Sequence, residues 1–315
     1  MAKALPGRPI CSSAEVLLPD LSAVGTGLPM GKALKNRATL PDCCDFAIQC
    51  EDGQERLGPG LVNAFIDRLG EMRAGATVFV RSTLLAPFFD RAFCLIRQPF
   101  VLVTGGSDPA SPGAHRESLE DPRIIRWFGE NSDLPAPHPK FEPVPLGISD
   151  PNVSFGNQEA MLRVHARMPP VEEKPLLAHS SFQLTISHPS RREALAIIRN
   201  IEGVVVQQAR IAPELLWVRH AGHAFVISPR GGGLDCHRTW EALLLRSIPI
   251  VKRSLLDPLH EAFPIAIVDD WHEISLSAMR NWRERLRGGF TLEMFQRLTR
   301  DYWAQRIRAA GSGRP

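Results

Sequence analysis

The stretch that most constrains the fold is residues 224–251, with the sequence AFVISPRGGGLDCHRTWEALLLRSIPIV. Residues 224–228 are apolar and favour a strand, residues 236–246 are rich in helix formers, and residues 248–251 are apolar again. The glycine triplet between the first strand and the helix lets the backbone turn tightly and approach a ligand closely. Strand, turn, helix and strand in so short a stretch predict a parallel crossover unit. Its turn lies at the carboxyl end of a strand, which is where open α/β sheets bind ligands.

The turn also concentrates groups that bind anions. Arg230 precedes the glycines, and Arg238 lies in the first turn of the predicted helix. The free N–H groups and the dipole of a helix N-terminus attract negative charge, and arginine binds phosphate oxygens in pairs. Asp235 suits the N-cap position, and Glu241 lies on the same helical face as Arg238, where a carboxylate could accept the hydroxyls of a ribose. The stretch therefore predicts a site for a nucleotide diphosphate.

Simpler interpretations stay open for these residues. A glycine-rich turn before a helix is often only a tight connection, and Glu241 could pair with Arg238 at the surface. The known phosphate loops fit poorly, because GxxxxGK[ST] does not occur and Cys236 stands where the dinucleotide fingerprint has its third glycine. Arg191 or Arg192, at the start of an upstream helix, could face the same phosphates or form a solvated basic turn.

Four segments, taken in order, resemble the exostosin-like glycosyltransferases. They are RWFGENSDLPAPHPKFEPVPLGI at 126–148, SFQLTISHPSRREAL at 181–195, SPRGGGLDCHRTWEALLLRSIPIVKRS at 228–254 and FPIAIVDDWHEI at 263–274. The resemblance implies a two-domain fold of the GT-B kind, with a sugar nucleotide, expected to be UDP-linked, held mainly by the second domain. It also implies that Arg238 holds the diphosphate and that Glu241 holds the ribose. The predicted donor-binding residues are Arg191, Arg230, Gly231, Gly232, Gly233, Asp235, His237, Arg238 and Glu241.

The first half of the chain supplies candidates for a catalytic base. A predicted strand at residues 100–103 leads into the loop TGGSD at residues 104–108. An acceptor hydroxyl needs a base to take its proton, and a carboxylate or an imidazole in a cleft can be tuned for that task. We therefore predict that Asp108 or His115 is the catalytic base, although residues 107–109 are also an ordinary turn sequence.

Alternating strands and helices over 315 residues predict parallel sheets, right-handed crossovers and two domains. The predicted fold class is α/β, with two Rossmann-like parallel-sheet domains facing a cleft in a GT-B-like arrangement. A helix over residues 292–308 is predicted to pack back across the domains, and a helix is predicted to begin within residues 122–128. The predicted divisions are an irregular leader at 1–40, an acceptor-side domain at 41–165, a nucleotide-sugar-binding domain at 175–290, and a C-terminal helix and tail at 291–315.

Charge and composition narrow the function further. The formal net charge of +3 gives no reason to expect a nucleic-acid partner. No apolar run reaches the roughly 18 residues that a membrane span needs, and residues 1–16 lack the apolar core of a signal peptide. We therefore expect a cytoplasmic protein, unlike the membrane-anchored animal members of the resembled family. No DxD triplet occurs, and because that spacing holds Mg²⁺ or Mn²⁺ in metal-dependent transferases, we predict a metal-free mechanism without a cofactor.

The predicted function is transfer of a sugar from a nucleotide-sugar donor to a hydroxyl of a glycan or other acceptor. Two alternatives stay open. The first is a non-catalytic module that binds a nucleotide sugar and has lost transferase activity. The second is a Rossmann-type oxidoreductase, against which the incomplete glycine pattern argues.

Overall fold

The computed structural model describes residues 34–36, 39–50, 54–149, 157–184, 189–207 and 209–313. Most of the predicted leader, and residues 185–188 of the segment that resembles exostosin-like proteins, lie outside these ranges. The strands are β1 (Phe46–Ile48), β2 (Ala76–Arg81), β3 (Phe100–Gly105), β4 (Ile124–Gly129), β5 (Phe141–Pro143), β6 (Ala178–Ser180), β7 (Val204–Val206), β8 (Phe225–Ile227), β9 (Ile248–Lys252) and β10 (Ala266–Val268). The helices are α1 (Thr39–Asp42), α2 (Gly58–Ile66), α3 (Leu85–Arg91), α4 (Gln158–Ala166), α5 (Pro189–Ile198), α6 (Pro213–Ala221), α7 (His237–Leu244), α8 (Asp257–His260), α9 (Leu276–Leu286), α10 (Leu292–Gln296) and α11 (Arg300–Gly311).

The first sheet has the strand order β1-β2-β3-β4-β5, and all its neighbouring strands are parallel. Because the strand order follows the chain order, every crossover runs in the same direction. One face packs on α2 and α3, with Val62 and Phe88 against Val78 and Leu102. The opposite face is covered by α1 and α11. Because all five strands are parallel, their carboxyl ends lie along one edge of the sheet.

The second sheet has the order β10-β9-β8-β6-β7 and is also parallel. The chain first adds β7 on one side of β6 and then returns to add β8 on the other side. The order therefore reverses between β6 and β8, which makes the carboxyl ends of these two strands a topological switch point where ligands bind in open α/β sheets. Two parallel five-stranded sheets confirm the predicted α/β fold class of two Rossmann-like domains.

The C-terminal segment contacts both sheets, but as two helices. The prediction of one helix over residues 292–308 is wrong because Thr299 breaks it, accepting a hydrogen bond from Tyr302 N at 3.5 Å as the N-cap of α11. Phe295 of α10 packs in the core that contains α7. Trp303 and Ile307 of α11 pack on the first sheet. The prediction that the C-terminal helix packs back across the domains is confirmed in this form.

The helix predicted to begin within residues 122–128 is a strand. Ile124, Trp127 and Phe128 belong to β4, which lies between β3 and β5, and all three side chains are buried. A run of β-branched and aromatic residues fits a pleated, buried surface better than a helix. The segment that resembles exostosin-like proteins therefore begins inside a strand of the first sheet.

The division between the two domains stays a prediction. Helix α4, which the prediction assigned to residues 41–165, packs against α6 of the second half. Met161 of α4 and Trp217 of α6 lie in the same buried cluster as Trp240 of α7. The described part of α4 is thus supported mainly by helices that follow the predicted boundary.

Candidate functional site

Residues 228–236, which we call the glycine loop, connect β8 to α7. The loop leaves β8 at the topological switch point, and α5 begins at the same edge of the sheet. The first helical residue is His237, and Cys236 occupies the N-cap position without a side-chain capping bond. The prediction that Asp235 is the N-cap is therefore wrong by one residue.

Arg191 reaches from α5 to the glycine loop. Its side chain is 6% exposed, its Nε donates to Arg230 O at 3.0 Å, and its Nη1 donates to Gln183 O at 2.9 Å. Burial lowers the pKa of this guanidinium, and the positive charge of Arg238 lowers that pKa further, whereas Cys236 raises it. The adjacent Arg192 is exposed. The sequence left open which of the two arginines reaches the turn, and in the structure it is Arg191 that contacts it.

Arg230 and Arg238 complete a group of three arginines. Arg238 Nη1 lies 3.5 Å from Cys236 Sγ, and its guanidinium carbon lies 5.9 Å from the centre of the Phe182 ring. Arg230 Nη2 donates to Gly232 O at 3.4 Å. Within the described part of the chain, no carboxylate forms an ion pair with any of the three. Positive charge without a counter-ion, next to the start of a helix, is the arrangement that binds phosphate groups.

Asp235 has a structural role at the start of α7. Its side chain is 4% exposed and accepts hydrogen bonds from Leu146 N at 2.8 Å, Cys236 N at 2.6 Å and Trp240 Nε1 at 2.8 Å. Burial raises the pKa of this carboxyl to about 6, against the opposing effect of these donors. Because protein donors occupy both oxygens, Asp235 fixes the start of α7 and joins it to the segment between the sheets.

The glycines allow the first half of the chain to approach the glycine loop. A Cβ on Gly232 would collide with the carboxylate of Asp108, and a Cβ on Gly233 would lie 2.6 Å from Asn131 Oδ1. Asn131 Oδ1 also accepts a hydrogen bond from Asp235 N at 2.8 Å. From the sequence, Asn131 could contact a ligand or equally cap a loop, and it is not among the predicted donor-binding residues. In the structure its backbone φ is 53°, just beyond β4, which is an uncommon conformation for a residue other than glycine.

The two predicted catalytic bases lie in different surroundings. Asp108 is exposed beyond the end of β3, against Gly232. The His115 ring instead stacks on Phe89 of α3, with ring centres 4.2 Å apart and planes 15° apart. Burial lowers the pKa of His115. No hydrogen bond or ring contact among the described residues joins His115 to the glycine loop, so the structure brings only Asp108 to it.

His237 and Glu241 contact the segment that joins the sheets. The Nδ1–H of His237 donates to Gly147 O at 2.8 Å. Glu241 is 7% exposed, and its Oε1 accepts hydrogen bonds from Ser149 N at 3.2 Å and Ser149 Oγ at 2.8 Å. Glu241 Oε2 accepts a hydrogen bond from Trp217 Nε1 at 3.3 Å. Ribose binding by Glu241 stays a prediction, and these three internal bonds already use most of the acceptor capacity of its carboxylate.

A buried ion pair supports the TGGSD loop, and the sequence analysis did not predict this pair. Lys35 and Glu130 form the pair, and neither side chain is exposed. Lys35 Nζ also donates to Leu146 O at 3.1 Å, and Glu130 Oε2 accepts a hydrogen bond from Gly106 N at 2.8 Å. No signal in the sequence links the two residues, because Lys35 lies in an aperiodic region and its partner is 95 positions away.

Among the described residues, no group of three or more His, Cys, Asp and Glu side chains is arranged to hold a metal ion. Within the same ranges, no helix combines the length and the apolar character that crossing a membrane requires.

No protein-family model and no curated protein matches the chain, but solved structures do. An alpha,alpha-trehalose 6-phosphate synthase from Burkholderia multivorans is 11% identical, with a TM-score of 0.45, over 84% of this chain and 78% of that chain. A UDP-forming alpha,alpha-trehalose-phosphate synthase from Burkholderia vietnamiensis is also 11% identical, with a TM-score of 0.45, over 84% of this chain and 81% of that chain. A structure described as trehalose-6-phosphate from E. coli bound with UDP-2-fluoro glucose is 10% identical, with a TM-score of 0.41, over 84% of this chain and 78% of that chain. These similarities concern the overall fold, and they show neither the exostosin family nor any shared site residue.

Proposed function

We propose that this chain is a glycosyltransferase that moves a sugar from a nucleotide-sugar donor, with UDP as the expected nucleotide, to an acceptor hydroxyl without a metal. The observation that carries the proposal is the convergence of Arg191, Arg230 and Arg238 on the glycine loop without a carboxylate partner among the described residues. Like charges held together in a partly buried site repel one another, and a bound diphosphate would relieve that repulsion.

The same arginines would assist departure of the nucleotide. When the bond between sugar and diphosphate breaks, negative charge grows on the diphosphate. Guanidinium groups already oriented by Gln183 O, Arg230 O and the Cys236 thiol need little reorganisation to stabilise that charge. A transferase without a metal needs protein groups that stabilise the charge of the departing diphosphate in this way.

Asp108 is the better supported of the two predicted bases. It is exposed at the carboxyl edge of the first sheet and lies against Gly232, so it faces both the glycine loop and solvent. A carboxylate in that position can take the proton of an acceptor hydroxyl as the hydroxyl attacks the sugar. Asp108→Asn, which keeps the shape of the side chain, is expected to lower the transfer rate about 10²–10⁴-fold while leaving donor binding intact.

Donor binding tests the arginine group directly. A thermal-shift screen of UDP-, GDP-, CMP- and ADP-sugars should identify a nucleotide that raises the melting temperature, because a ligand bound by the native state stabilises it. Arg238→Met should then weaken binding of that nucleotide by about tenfold or more, the loss expected for a charge-assisted hydrogen bond. Arg199→Met is the matched control, since Arg199 is exposed just beyond the opposite end of α5. Equal affinity in the two variants would contradict the placement of the diphosphate.

A non-catalytic nucleotide-sugar-binding module is the second candidate. Two observations favour it. The internal bonds of Glu241 use most of the acceptor capacity of its carboxylate, and the stacking of His115 on Phe89 leaves Asp108 as the single predicted base at the glycine loop. Calorimetry would separate the two functions. Tight nucleotide binding, together with no transfer and no donor hydrolysis over a panel of acceptors, supports the binding module and rejects the transferase.

A further inference from the structure

A cavity of about 130 Å³ lies at the carboxyl edge of the second sheet, beside the glycine loop. We call it the edge cavity. It extends beyond the ends of β8 and β9, and the first turn of α7 and the end of α8 contribute to its wall. Its wall includes Ser228, Arg230, Thr239, Lys252, His260 and Trp271. Every residue of the wall follows the predicted domain boundary, and neither Asp108 nor Asn131 belongs to it.

Three side chains of this wall have buried polar atoms without a hydrogen-bond partner among the described residues. They are Trp271 through Nε1, Arg230 through Nε, and His260 through both ring nitrogens. Trp271 is 1% exposed and His260 is 4% exposed. Buried polar groups in folded proteins nearly always have partners, so such a concentration at one cavity indicates a missing one. The cavity is also larger than a single water molecule needs.

The chemistry of these atoms specifies the missing partner. Trp Nε1 and Arg Nε are donors only. Burial lowers the pKa of His260 to about 4, so near neutral pH its ring is neutral and contributes one donor and one acceptor. The wall thus has an excess of donors, and a ligand that satisfies it must supply acceptor oxygens.

The charged groups of the wall indicate the sign of the charge that the ligand carries. Lys252 is already paired with Glu193 at 2.8 Å, and Arg253 is paired with Asp257 and Asp269. The carboxylate of Asp235 also lines the cavity, but backbone and indole donors occupy it. The guanidinium of Arg230 is left without a carboxylate among the described residues. An excess of donors with one uncompensated positive charge favours an oxyanion over a neutral sugar, whose hydroxyls also need acceptors.

We propose that the edge cavity binds a phosphate group, with Trp271, His260 and Arg230 donating hydrogen bonds to its oxygens. The phosphate has two possible sources with the same chemistry: the diphosphate of the nucleotide-sugar donor, or a phosphate carried by a separate molecule. In the first case the inference rests on the proposed function and names the place of one donor phosphate. In the second case it stands independently of transferase activity.

Titration of the full chain with inorganic phosphate tests the proposal, with chloride at matched ionic strength as the control. Isothermal calorimetry should show one saturable phosphate site, and the melting temperature should rise with phosphate but not with chloride. Trp271→Phe removes the indole N–H while keeping an aromatic ring, and it should weaken phosphate binding about tenfold. Trp282→Phe is the matched control, because Trp282 is a partly buried tryptophan of α9 outside the cavity wall.

Competition with UDP identifies the source of the phosphate. If UDP displaces phosphate from a single site, the cavity holds a donor phosphate. If the two bind together, the phosphate belongs to another molecule. If phosphate binds while no nucleotide does, the proposed function fails and this inference stands.

Two results overturn the inference. The first is a phosphate response no larger than that of chloride, which needs no variant and shows that the cavity holds only water or a neutral group. The second is equal phosphate affinity in Trp271→Phe and Trp282→Phe, which shows that phosphate binds elsewhere.

Discussion

Removal of the buried lysine beneath the TGGSD loop should destabilise the fold strongly. Lys35→Met leaves the carboxylate of Glu130 unpaired in a place where neither partner is exposed. Breaking a buried ion pair by removing one partner costs about 3–5 kcal/mol, because the remaining charge stays buried. The lost bond from Lys35 Nζ to Leu146 O adds about 1 kcal/mol. We therefore expect the free energy of unfolding to fall by about 4–6 kcal/mol.

A double substitution separates the pair from its surroundings. Lys35→Met with Glu130→Gln removes both charges and keeps an oxygen that accepts the hydrogen bond from Gly106 N. This variant should recover more than half of the stability lost in Lys35→Met, since no buried charge remains.

Urea unfolding followed by circular dichroism measures both variants, with Arg68→Met as the control. Arg68 pairs with Glu71 on the surface, with both side chains more than half exposed, and its loss should have little or no effect. Equal midpoints for Lys35→Met and Arg68→Met would refute the assignment of a stabilising role to the buried pair.

The remaining predictions concern the glycine loop and the reaction. Gly233→Ala should cost about 1–3 kcal/mol of unfolding free energy, because its Cβ displaces Asn131 Oδ1 from Asp235 N. Gly232→Ala should cost less, since its Cβ meets only the end of the exposed Asp108 side chain. Chemical denaturation of the two variants in parallel tests this order, and the reverse order would contradict it. The pKa of Asp235, raised to about 6, means that the folded state binds a proton more tightly than the unfolded state. Its stabilising contribution is present below about pH 4 and is lost as the pH rises through 6, by about 3 kcal/mol. Unfolding midpoints measured from pH 4 to 7 should therefore decline less in Asp235→Asn than in the wild type, and parallel curves would count against the assignment. Transfer activity should survive EDTA and gain nothing from added Mg²⁺ or Mn²⁺, and loss of turnover after chelation would show that the mechanism needs a metal.

The parts of the fold that can be predicted from the sequence are those determined by residues close together in the chain. The unit of β8, glycine loop, α7 and β9 is one of them, because a β-favouring run, three glycines and a series of helix formers act within a few positions. The strand β4 was missed because Pro122 suggested a helix start, whereas the burial of Trp127 between β3 and β5 depends on the rest of the sheet.

The candidate site was predicted in part for the same reason. The sequence predicts Arg230 and Arg238 at one turn, and in the structure Arg191 contacts that turn through Arg230 O, while phosphate binding by these residues stays a prediction. Contacts between distant residues carry no such local signal. Asn131 accepts a hydrogen bond from Asp235 N across 104 positions, and nothing in either segment predicts the pairing.

The glycine loop borders two environments, and their charges bear on where a diphosphate can lie. On the side of the first sheet, Asp108 and Asn131 already occupy the space next to Gly232 and Gly233. The edge cavity lies beside the same loop, and its wall contains Arg230, His260 and Trp271, whose buried polar atoms lack a partner among the described residues. A phosphate on the side of the first sheet must displace the Asp108 carboxylate, which carries the same sign of charge, whereas in the edge cavity the carboxylate of Asp235 is already occupied by backbone and indole donors. The glycines therefore let the two halves of the chain close on each other, and this favours the edge cavity over the space next to Asp108 as the site of the proposed phosphate.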